Sequence, residues 1–410
     1  MRVISPFLKR NLNKMLKIKH NLYSLIISLV VSLQTSASLA EDNNIEVSGF
    51  ARIVAGIASN DSVVFNGYDD QIQFGEESLV AVQVDGQLTD KISATGQLLY
   101  HPADNRDSGL EWAYLSYQHN NKLNFTLGKM RSPFFQYSDV IDVGLAYPWI
   151  SPPGQVYKEY MFSSFEGAKA TYHFTDERLA YSLEGYWGQF DSVLTLNGYQ
   201  FPTTVDDLKG AVFTIVDDNL SYRVSYHRGF VELDSGFIND VAIPLSQLGF
   251  DKSAQSLSGR GDIEFYQAGL TYDGLQYFTI VELIQITGDI PLVPQATAAY
   301  ATFGYHFQPV TVHFTIATNN AKTSEPVNEI PAGVTPQLDQ LLFGYKTIIH
   351  SLNYSDVDTD SLTIGLRWEL EANCALKLDL STFKSKLPAS LISVESNSKD
   401  QITHLLQVGI

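Results

Sequence analysis

Residues 361–384 read SLTIGLRWELEANCALKLDLSTFK, in which apolar and polar side chains alternate on both sides of Ala372-Asn373. Such alternation predicts two antiparallel strands joined by a two-residue turn. In the first strand, one face carries Leu362, Ile364, Leu366, Trp368 and Leu370, and the other carries Thr363, Gly365, Arg367 and Glu369. Charged side chains cannot fill a dry core without partners, but they can line water. The hairpin therefore favours a barrel wall that turns its apolar face outward.

The same unit recurs along residues 45–410. Two-residue turns are predicted at Thr89-Asp90, Asn120-Asn121, Asp176-Glu177, Asp218-Asn219, Asp273-Gly274, Gln308-Pro309 and Ala372-Asn373. Longer connections alternate with them at 58–77, 102–109, 131–162, 191–207, 232–261, 289–296, 321–360 and 385–400. Short turns at one end and long loops at the other are typical of an outer-membrane barrel, with short periplasmic turns and long external loops.

Sixteen segments fit the alternation. They are 45–57, 78–88, 91–101, 110–119, 122–130, 163–175, 178–190, 208–217, 220–230, 262–272, 275–288, 297–307, 310–320, 361–371, 374–384 and 400–410. An even number lets the last strand pair with the first, so that no unpaired backbone edge faces lipid. We therefore predict an all-β fold, a transmembrane antiparallel β-barrel of 16 strands over residues 41–410. Residues 340–352 are assigned to a loop, because a further strand would make the number odd.

The first forty residues have the pattern of an export signal. Six basic residues and no acid precede the short apolar core Leu22–Leu33, and Ser38-Leu39-Ala40 resembles a small-residue cleavage site. Twelve residues are too few to cross about 30 Å of hydrocarbon as a helix. We predict a cleaved signal peptide at 1–40 and localisation in the outer membrane of a Gram-negative bacterium.

The composition of the remaining chain is strongly acidic. Without the six basic residues of the leader, 21 basic residues stand against 45 acidic ones. This balance argues against nucleic acid as a partner, whereas it fits either a surface that holds divalent cations and lipopolysaccharide or a pore that attracts cations. The chain has 22 Tyr and 23 Phe, residues that are enriched at the rims of membrane barrels. A single cysteine, Cys374, excludes an intramolecular disulfide.

One stretch carries a family resemblance. Residues 128–174 read GKMRSPFFQYSDVIDVGLAYPWISPPGQVYKEYMFSSFEGAKATYHF, and Glu111–Tyr117 read EWAYLSY. The opening GKMRSPFF and the proline- and aromatic-rich centre resemble the third-loop region of Gram-negative porins, in particular porin-like proteins of marine gammaproteobacteria. The resemblance implies a trimer of 16-stranded barrels in which the third external loop folds into the lumen. Three prolines within residues 148–153 suit a stiff loop of this kind.

The resemblance also implies loop carboxylates that face a basic ladder across the constriction. The candidate loop residues are Arg131, Asp139, Asp142 and Glu159. The candidate pore-lining bases, all on the parity assigned to the lumen, are Arg52, Lys169, Arg223, Arg367 and Lys377. The pore-lining acids that alternate with them are Asp85, Glu111, Glu184, Glu369 and Asp379. This ladder is sparser than the arginine cluster typical of general porins, and the chain ends on Ile410 instead of the usual aromatic residue.

The sequence contains no phosphate-binding loop, paired cysteine ligands or His-Glu-x-x-His motif. His173, His227, His306 and His313 share the lumen parity, and we interpret them as hydrated lining. We expect no enzyme activity, no metal and no cofactor. The predicted function is passive diffusion of small hydrophilic solutes and ions through a water-filled pore narrowed by loop 131–162. Two alternatives remain, a substrate-specific channel for a sugar, peptide or organic acid, and a non-conducting structural or adhesive barrel.

Overall fold

The computed structural model describes residues 44–59, 67–103, 108–157, 163–196, 199–352, 358–386 and 400–410. The predicted signal peptide and Glu159 lie outside the described residues. Within these ranges, no helix combines the length and the apolar character needed to cross a membrane.

The fold is all-β, with seventeen strands in one antiparallel sheet. The strands are β1 (Ile45–Arg52), β2 (Val54–Ala58), β3 (Leu79–Thr89), β4 (Ile92–Tyr100), β5 (Gly109–Gln118), β6 (Leu123–Arg131), β7 (Ser164–Thr175), β8 (Leu179–Leu196), β9 (Tyr199–Asp217), β10 (Leu220–Leu233), β11 (Arg260–Asp273), β12 (Tyr277–Gly288), β13 (Gln295–Phe307), β14 (Val310–Lys322), β15 (Asp358–Glu371), β16 (Cys374–Lys386) and β17 (Asp400–Gly409). All seven predicted tight turns lie between consecutive paired strands.

The sheet curls into a nearly closed barrel. Every strand from β3 to β17 pairs with its neighbour in the chain, β17 pairs with β2, and β1 pairs with β3. The count of 17 differs from the predicted 16 because the predicted strand 45–57 is divided at Ile53. There the chain changes partner from β3 to β17, and the Ile53 N–H and C=O exchange hydrogen bonds of 2.9 and 3.0 Å with Ile410.

The longer connections contain helices that the alternation did not predict. They are α1 (Gly154–Tyr157), α2 (Gly236–Gln247), α3 (Asp251–Gln255) and α4 (Pro336–Leu352). Residues 340–352 are therefore helical and form neither a loop nor an extra strand. The physical reason is that Leu342, Tyr345 and Ile348 recur at helical spacing and are buried on one face. The predicted loop 191–207 is also mostly strand, since the β8–β9 ladder continues to Leu196 and Tyr199.

In a soluble β-protein the apolar side chains of a sheet are buried and the polar ones are exposed, and this sheet has the opposite arrangement. One face exposes large apolar side chains, including Leu98, Leu127, Trp187 and Ile364, each about 60% exposed. We call it the apolar face, and we call the opposite one, where polar groups are buried, the polar face. Aromatic residues collect on the apolar face near the tight turns, as in the stacked pair Phe174 and Tyr181 at 4.6 Å. An apolar band with an aromatic rim is typical of a lipid-facing barrel surface.

Gly128 in β6 provides a test of this wall. Its φ is +139°, and a Cβ atom there would lie 2.3 Å from the carbonyl oxygen of Ala113 in β5. We expect Gly128→Ala to destabilise the barrel by about 1–3 kcal/mol, the range for a strained backbone position. Gly185→Ala is the control, because Gly185 lies in β8 opposite Ala170 of β7 and has open space at its Cβ position. The measurement is the urea concentration that halves the heat-modifiable folded band; equal midpoints would contradict the expectation.

Candidate functional site

The connection after β6, residues 132–157, is bound to the polar face of the sheet by contacts with many strands. Its side chains and backbone contact residues of the polar face on β1, β10, β11, β12, β14, β15 and β16. Phe135, Tyr147, Trp149 and Ile150 are each at most 2% exposed. We call these residues segment 132–157.

Aromatic packing holds the start of the segment. The Phe134 ring lies 4.7 Å from His227 and 5.2 Å from Phe265, and Phe135 lies 4.8 Å from Tyr157. Burial of each phenylalanine side chain contributes about 1.5–3 kcal/mol. The rings therefore fix the segment against β10 and β11 without using any charge.

The centre of the segment is also held through aromatic groups. Trp149 packs edge-on against Tyr300 at 5.5 Å, and its indole N–H donates to the Thr315 hydroxyl at 2.8 Å. A tryptophan buried in this way needs a hydrogen-bond partner for its N–H group. Thr315 on β14 supplies that partner.

Arg52, a predicted lining base, binds the segment instead of standing free. Its guanidinium donates to the Ile150 carbonyl at 3.1 Å and to the Tyr147 hydroxyl at 2.6 Å, and it pairs with Glu77 at 3.4 Å. Burial raises the pKa of the Tyr147 phenol to about 12. The phenol therefore stays protonated at neutral pH and donates to the Ile141 carbonyl at 2.7 Å.

Arg223 and Arg367 contact backbone carbonyls of the segment in the same manner. Arg223 donates to the carbonyls of Pro133 and Phe134. Arg367 donates to those of Leu145 and Tyr147 at 2.8 and 2.9 Å. The basic ladder implied by the resemblance therefore acts here on loop carbonyls.

Lys377 is the fourth base that binds the segment, after Arg52, Arg223 and Arg367. Its ammonium donates to the carbonyls of Gly144, Tyr147 and Trp149 at 2.5, 2.7 and 2.5 Å. Arg367 pairs in addition with Glu369 at 2.6 Å. Arg367 therefore binds a carboxylate as well as carbonyls of the segment, whereas the ammonium of Lys377 donates to carbonyls of the segment.

Asp379 on β16 binds the segment from the acid side. One carboxylate oxygen accepts the Ile150 N–H at 2.8 Å, and the other lies 3.3 Å from Nε2 of His313. Gly365 lies between these two side chains in the cross-strand row of β14, β15 and β16. A Cβ atom at Gly365 would come within 2.0 Å of His313 and 2.3 Å of Asp379, so only glycine leaves room for this contact.

Glu282 is the functional candidate that sequence reasoning missed. It is fully buried on β12, and it accepts hydrogen bonds from the Gln136 N–H at 2.7 Å, the Tyr157 hydroxyl at 2.7 Å and the Gln267 amide at 3.0 Å. Burial raises the pKa of the Tyr157 phenol, which keeps this donor protonated. One carboxylate thus joins both ends of segment 132–157. The sequence feature that could have identified Glu282 is that it is the single acid within the isoleucine-rich strand 280–286.

Three predicted site residues form a buried cluster instead of facing an open lumen. Arg131 pairs with Glu111 at 2.8 Å and with Asp142 at 2.5 Å, and it lies over the Trp112 ring at 5.1 Å. All three charged residues are less than 10% exposed. Charge pairing accounts for this arrangement, since a buried arginine needs carboxylate partners. The cluster ties Asp142 back to the wall at β5 and β6.

Asp139 is the acid of the segment that remains exposed. It lies within electrostatic range of Lys169, Glu184 and Arg223 on the wall. Lys169 and Glu184 form an ion pair at 3.2 Å and are partly exposed, at 19% and 15%.

Asp85 belongs to the same polar face farther along the sheet. It accepts hydrogen bonds from Thr95 at 2.6 Å and Gln83 at 2.7 Å. The role of Asp85, Asp139, Lys169 and Glu184 as solute-facing residues stays a prediction.

Three cavities border the segment; the one beside Phe134 holds only about 40 Å³, and the other two are wider. The larger has a volume of about 730 Å³ and reaches the tight-turn end of the barrel, where Asp273, Gln308 and Pro309 line it together with Tyr147. The smaller measures about 190 Å³ and is lined by residues 151–155 of the segment. Among the described residues, no group of three or more His, Cys, Asp or Glu side chains is placed to hold a metal ion.

No protein-family model and no curated protein sequence matches the chain. Solved structures do match. The anion-selective porin from Comamonas acidovorans superposes with a TM-score of 0.54 at 12% identity, covering 89% of this chain and 98% of that one. The fold is a porin-like outer-membrane β-barrel.

OmpT expressed in the outer membrane of Vibrio cholerae gives a TM-score of 0.52 at 9% identity, covering 90% of this chain and 98% of that one. Its in-vitro folded trimer form gives 0.50 at 9% identity, with coverage of 90% and 99%. The resemblance seen in residues 128–174 is thus supported at the level of fold. Function has to be argued from the site, because one fold carries many functions.

The buried carboxylate of Glu282 generates a prediction. We expect Glu282→Ala to loosen both ends of the segment, because the Gln136 N–H and the Tyr157 hydroxyl lose their acceptor. A buried donor without an acceptor costs about 1–3 kcal/mol. Chymotrypsin cleavage next to Gln136 should then rise roughly tenfold, since cleavage follows the population of the open form. Glu264→Ala is the control, because Glu264 also accepts hydrogen bonds at both carboxylate oxygens, from Tyr226 and Tyr266, but on the apolar face. Equal cleavage in both variants would contradict the role of Glu282.

Proposed function

We propose that the protein is an outer-membrane porin that allows passive diffusion of small hydrophilic solutes and ions. The observation that carries this proposal is the attachment of segment 132–157 to the polar face of strands from β1 to β16. In a nearly closed barrel, one segment reaches so many strands on a single face only from inside. As a passive channel the protein needs no catalytic site and no cofactor.

In the proposed channel, β1 and β2 act together as one wall strand, which makes a barrel of 16. The division at Ile53 supports this, since β1 continues the wall from β3 and β2 continues it to β17. Closure then removes every free edge from lipid. Segment 132–157 lies in the lumen as the third external loop and sets the steric limit.

The solute path runs between Asp139 and the polar wall at β7 and β8, past Lys169 and Glu184. This part of the polar face remains partly exposed, whereas the region of Phe134 and Trp149 is packed. Acids that line such a path favour cations. Arg52, Arg223, Arg367 and Lys377 bind loop carbonyls, so we propose a weak preference for cations set by Asp139.

A substrate-specific channel is the second candidate, and the larger cavity favours it. Its lining combines the rings of Tyr137, Tyr147 and Phe278 with the charged pair Arg367 and Glu369. Aromatic faces with a few placed polar groups are typical of a small-molecule site. Conductance blocked by one sugar, peptide or organic acid would favour this candidate. A barrel without conductance would favour the structural or adhesive alternative.

We further propose a homotrimer in the outer membrane, in contact with lipid and lipopolysaccharide. The apolar face of β1, β3 and β4 supports this. Beside the tight turn it carries small or aliphatic residues such as Val47, Val84, Gly86, Ala94 and Gly96, where strands β5 to β15 carry aromatic rings. A flat surface without a lipid-interface rim suits packing against a second copy. The trimer form of OmpT is consistent with such an assembly.

The diffusion proposal predicts ohmic single-channel steps when residues 41–410 are reconstituted in planar bilayers. Absence of steps from folded protein would overturn it.

The proposed role of Asp139 in ion selectivity is tested by Asp139→Lys. This substitution should shift the reversal potential in asymmetric KCl toward that of chloride, because the net charge at the constriction becomes more positive by two. Asp240→Lys on α2 makes the same charge change away from the segment and should leave the potential unchanged. An equal shift in both variants would show that Asp139 does not line the path.

The trimer proposal predicts that Val84→Trp lowers the trimer fraction in native mass measurements. The bulky ring would disrupt a flat interface at a position that is 43% exposed in one chain. Leu183→Trp on β8 is the control, because lipid accommodates an aromatic ring at a comparable exposure of 48%. Trimers that persist with Val84→Trp would place the interface elsewhere.

A further inference from the structure

We propose that Lys377 is a positioning residue whose ammonium organises residues 144–149, and that it thereby fixes the constriction instead of selecting solutes. The inference rests on the proposed function, because a constriction is meaningful only in a conducting barrel. It changes the role of a side chain whose position in the sequence predicted a lumen-facing base.

The geometry around Lys377 is that of a filled cage. The ammonium has three N–H donors, and it donates to three carbonyls, those of Gly144, Tyr147 and Trp149, at 2.5, 2.7 and 2.5 Å. It also lies 4.8 Å from the centre of the Tyr147 ring, within cation–π range. The residue is 5% exposed. No donor of the ammonium is then left for a passing solute.

The sequence of the segment explains why a cation is needed there. Residues 144–149 read GLAYPW and contain no carboxylate or amide side chain. Gly144–Ala146 form a single 3₁₀ turn outside the sheet, so no strand ladder pairs the carbonyls of residues 144–149, and a buried carbonyl without a donor is costly. A single ammonium satisfies three of them at once. The planar guanidinium fork of arginine does not fit three carbonyls that converge on a point.

Neighbouring cations do not duplicate this arrangement. Arg52 and Arg367 also donate to the segment, but each is held by a carboxylate of its own, Glu77 and Glu369 respectively. Loss of either arginine leaves the cage intact. Loss of Lys377 leaves the carbonyls of Gly144 and Trp149 without this donor, while Tyr147 keeps the bond from Arg367.

The test is chemical rescue of Lys377→Ala in planar bilayers. Removal of the ammonium should raise the frequency of sublevel transitions roughly tenfold, the size expected for loss of hydrogen bonds to a charged donor. Ethylammonium should restore steady steps by occupying the cage, whereas tetramethylammonium, which has no N–H group, should not. Lys129→Ala is the control, because Lys129 donates to one carbonyl, that of Leu110, on the exposed surface. If Lys377→Ala fails to fold, Lys377→Met carries the comparison of sublevel frequency and cleavage without the rescue arm, because the Met side chain fills the space that ethylammonium would occupy.

A second readout separates this inference from the function on which it rests. Chymotrypsin cleavage after Trp149 should rise roughly tenfold in Lys377→Ala and fall again with ethylammonium, whether or not the protein conducts. A wild-type protein without conductance would overturn the proposed function, and the cleavage result would still decide the role of Lys377. Cleavage and sublevel frequency equal to those of the wild type would overturn the inference. A defect that ethylammonium does not reverse would also overturn it.

Discussion

Backbone hydrogen bonding in an apolar medium is the constraint on which the rest of this structure depends. A sheet that exposes leucine, isoleucine and tryptophan on one face has no water there to satisfy a free edge. The chain meets this constraint by curling the sheet until β17 reaches β2, with Ile53 and Ile410 exchanging both hydrogen bonds. Short turns at one end follow, since consecutive strands must pair directly. Long connections are free to vary only at the other end.

The same constraint applies to the segment that packs against the polar face. Segment 132–157 has few ladder bonds of its own, and packing buries much of its backbone among side chains of the wall. Every carbonyl removed from water then needs a donor. Arg52, Arg367 and Lys377 supply donors, and Glu282 and Asp379 supply acceptors for N–H and hydroxyl groups. Hydrogen bonding to one loop backbone therefore explains the positions of these wall charges as well as contact with a solute would.

The sequence was sufficient for features that depend on local periodicity. Alternation along residues 361–384 and the two-residue turns predicted the paired strands and the outward apolar face. The division at Ile53 was not predictable, because it depends on where two distant strands end. Helix α4 was missed because the even strand count, and not the spacing of Leu342, Tyr345 and Ile348, decided the interpretation of 340–352. Similarly, the alternation of side chains placed Lys377 and Asp379 on the polar face, but it could not show that a loop covers them.

The candidate site shows why parity alone cannot assign a role to a charged residue in a barrel. Glu111 and Glu184 were both predicted from their alternation, yet Glu111 lies buried beside Arg131 while Glu184 stays partly exposed beside Lys169. The difference arises from where the segment lies, and that depends on its apolar contacts, chiefly Phe134, Phe135 and Trp149. These rings decide which wall charges are covered. A segment held by Glu282 at its ends and by Lys377 at its centre has little freedom to swing, so in the proposed channel it would act as a fixed filter and not as a moving gate.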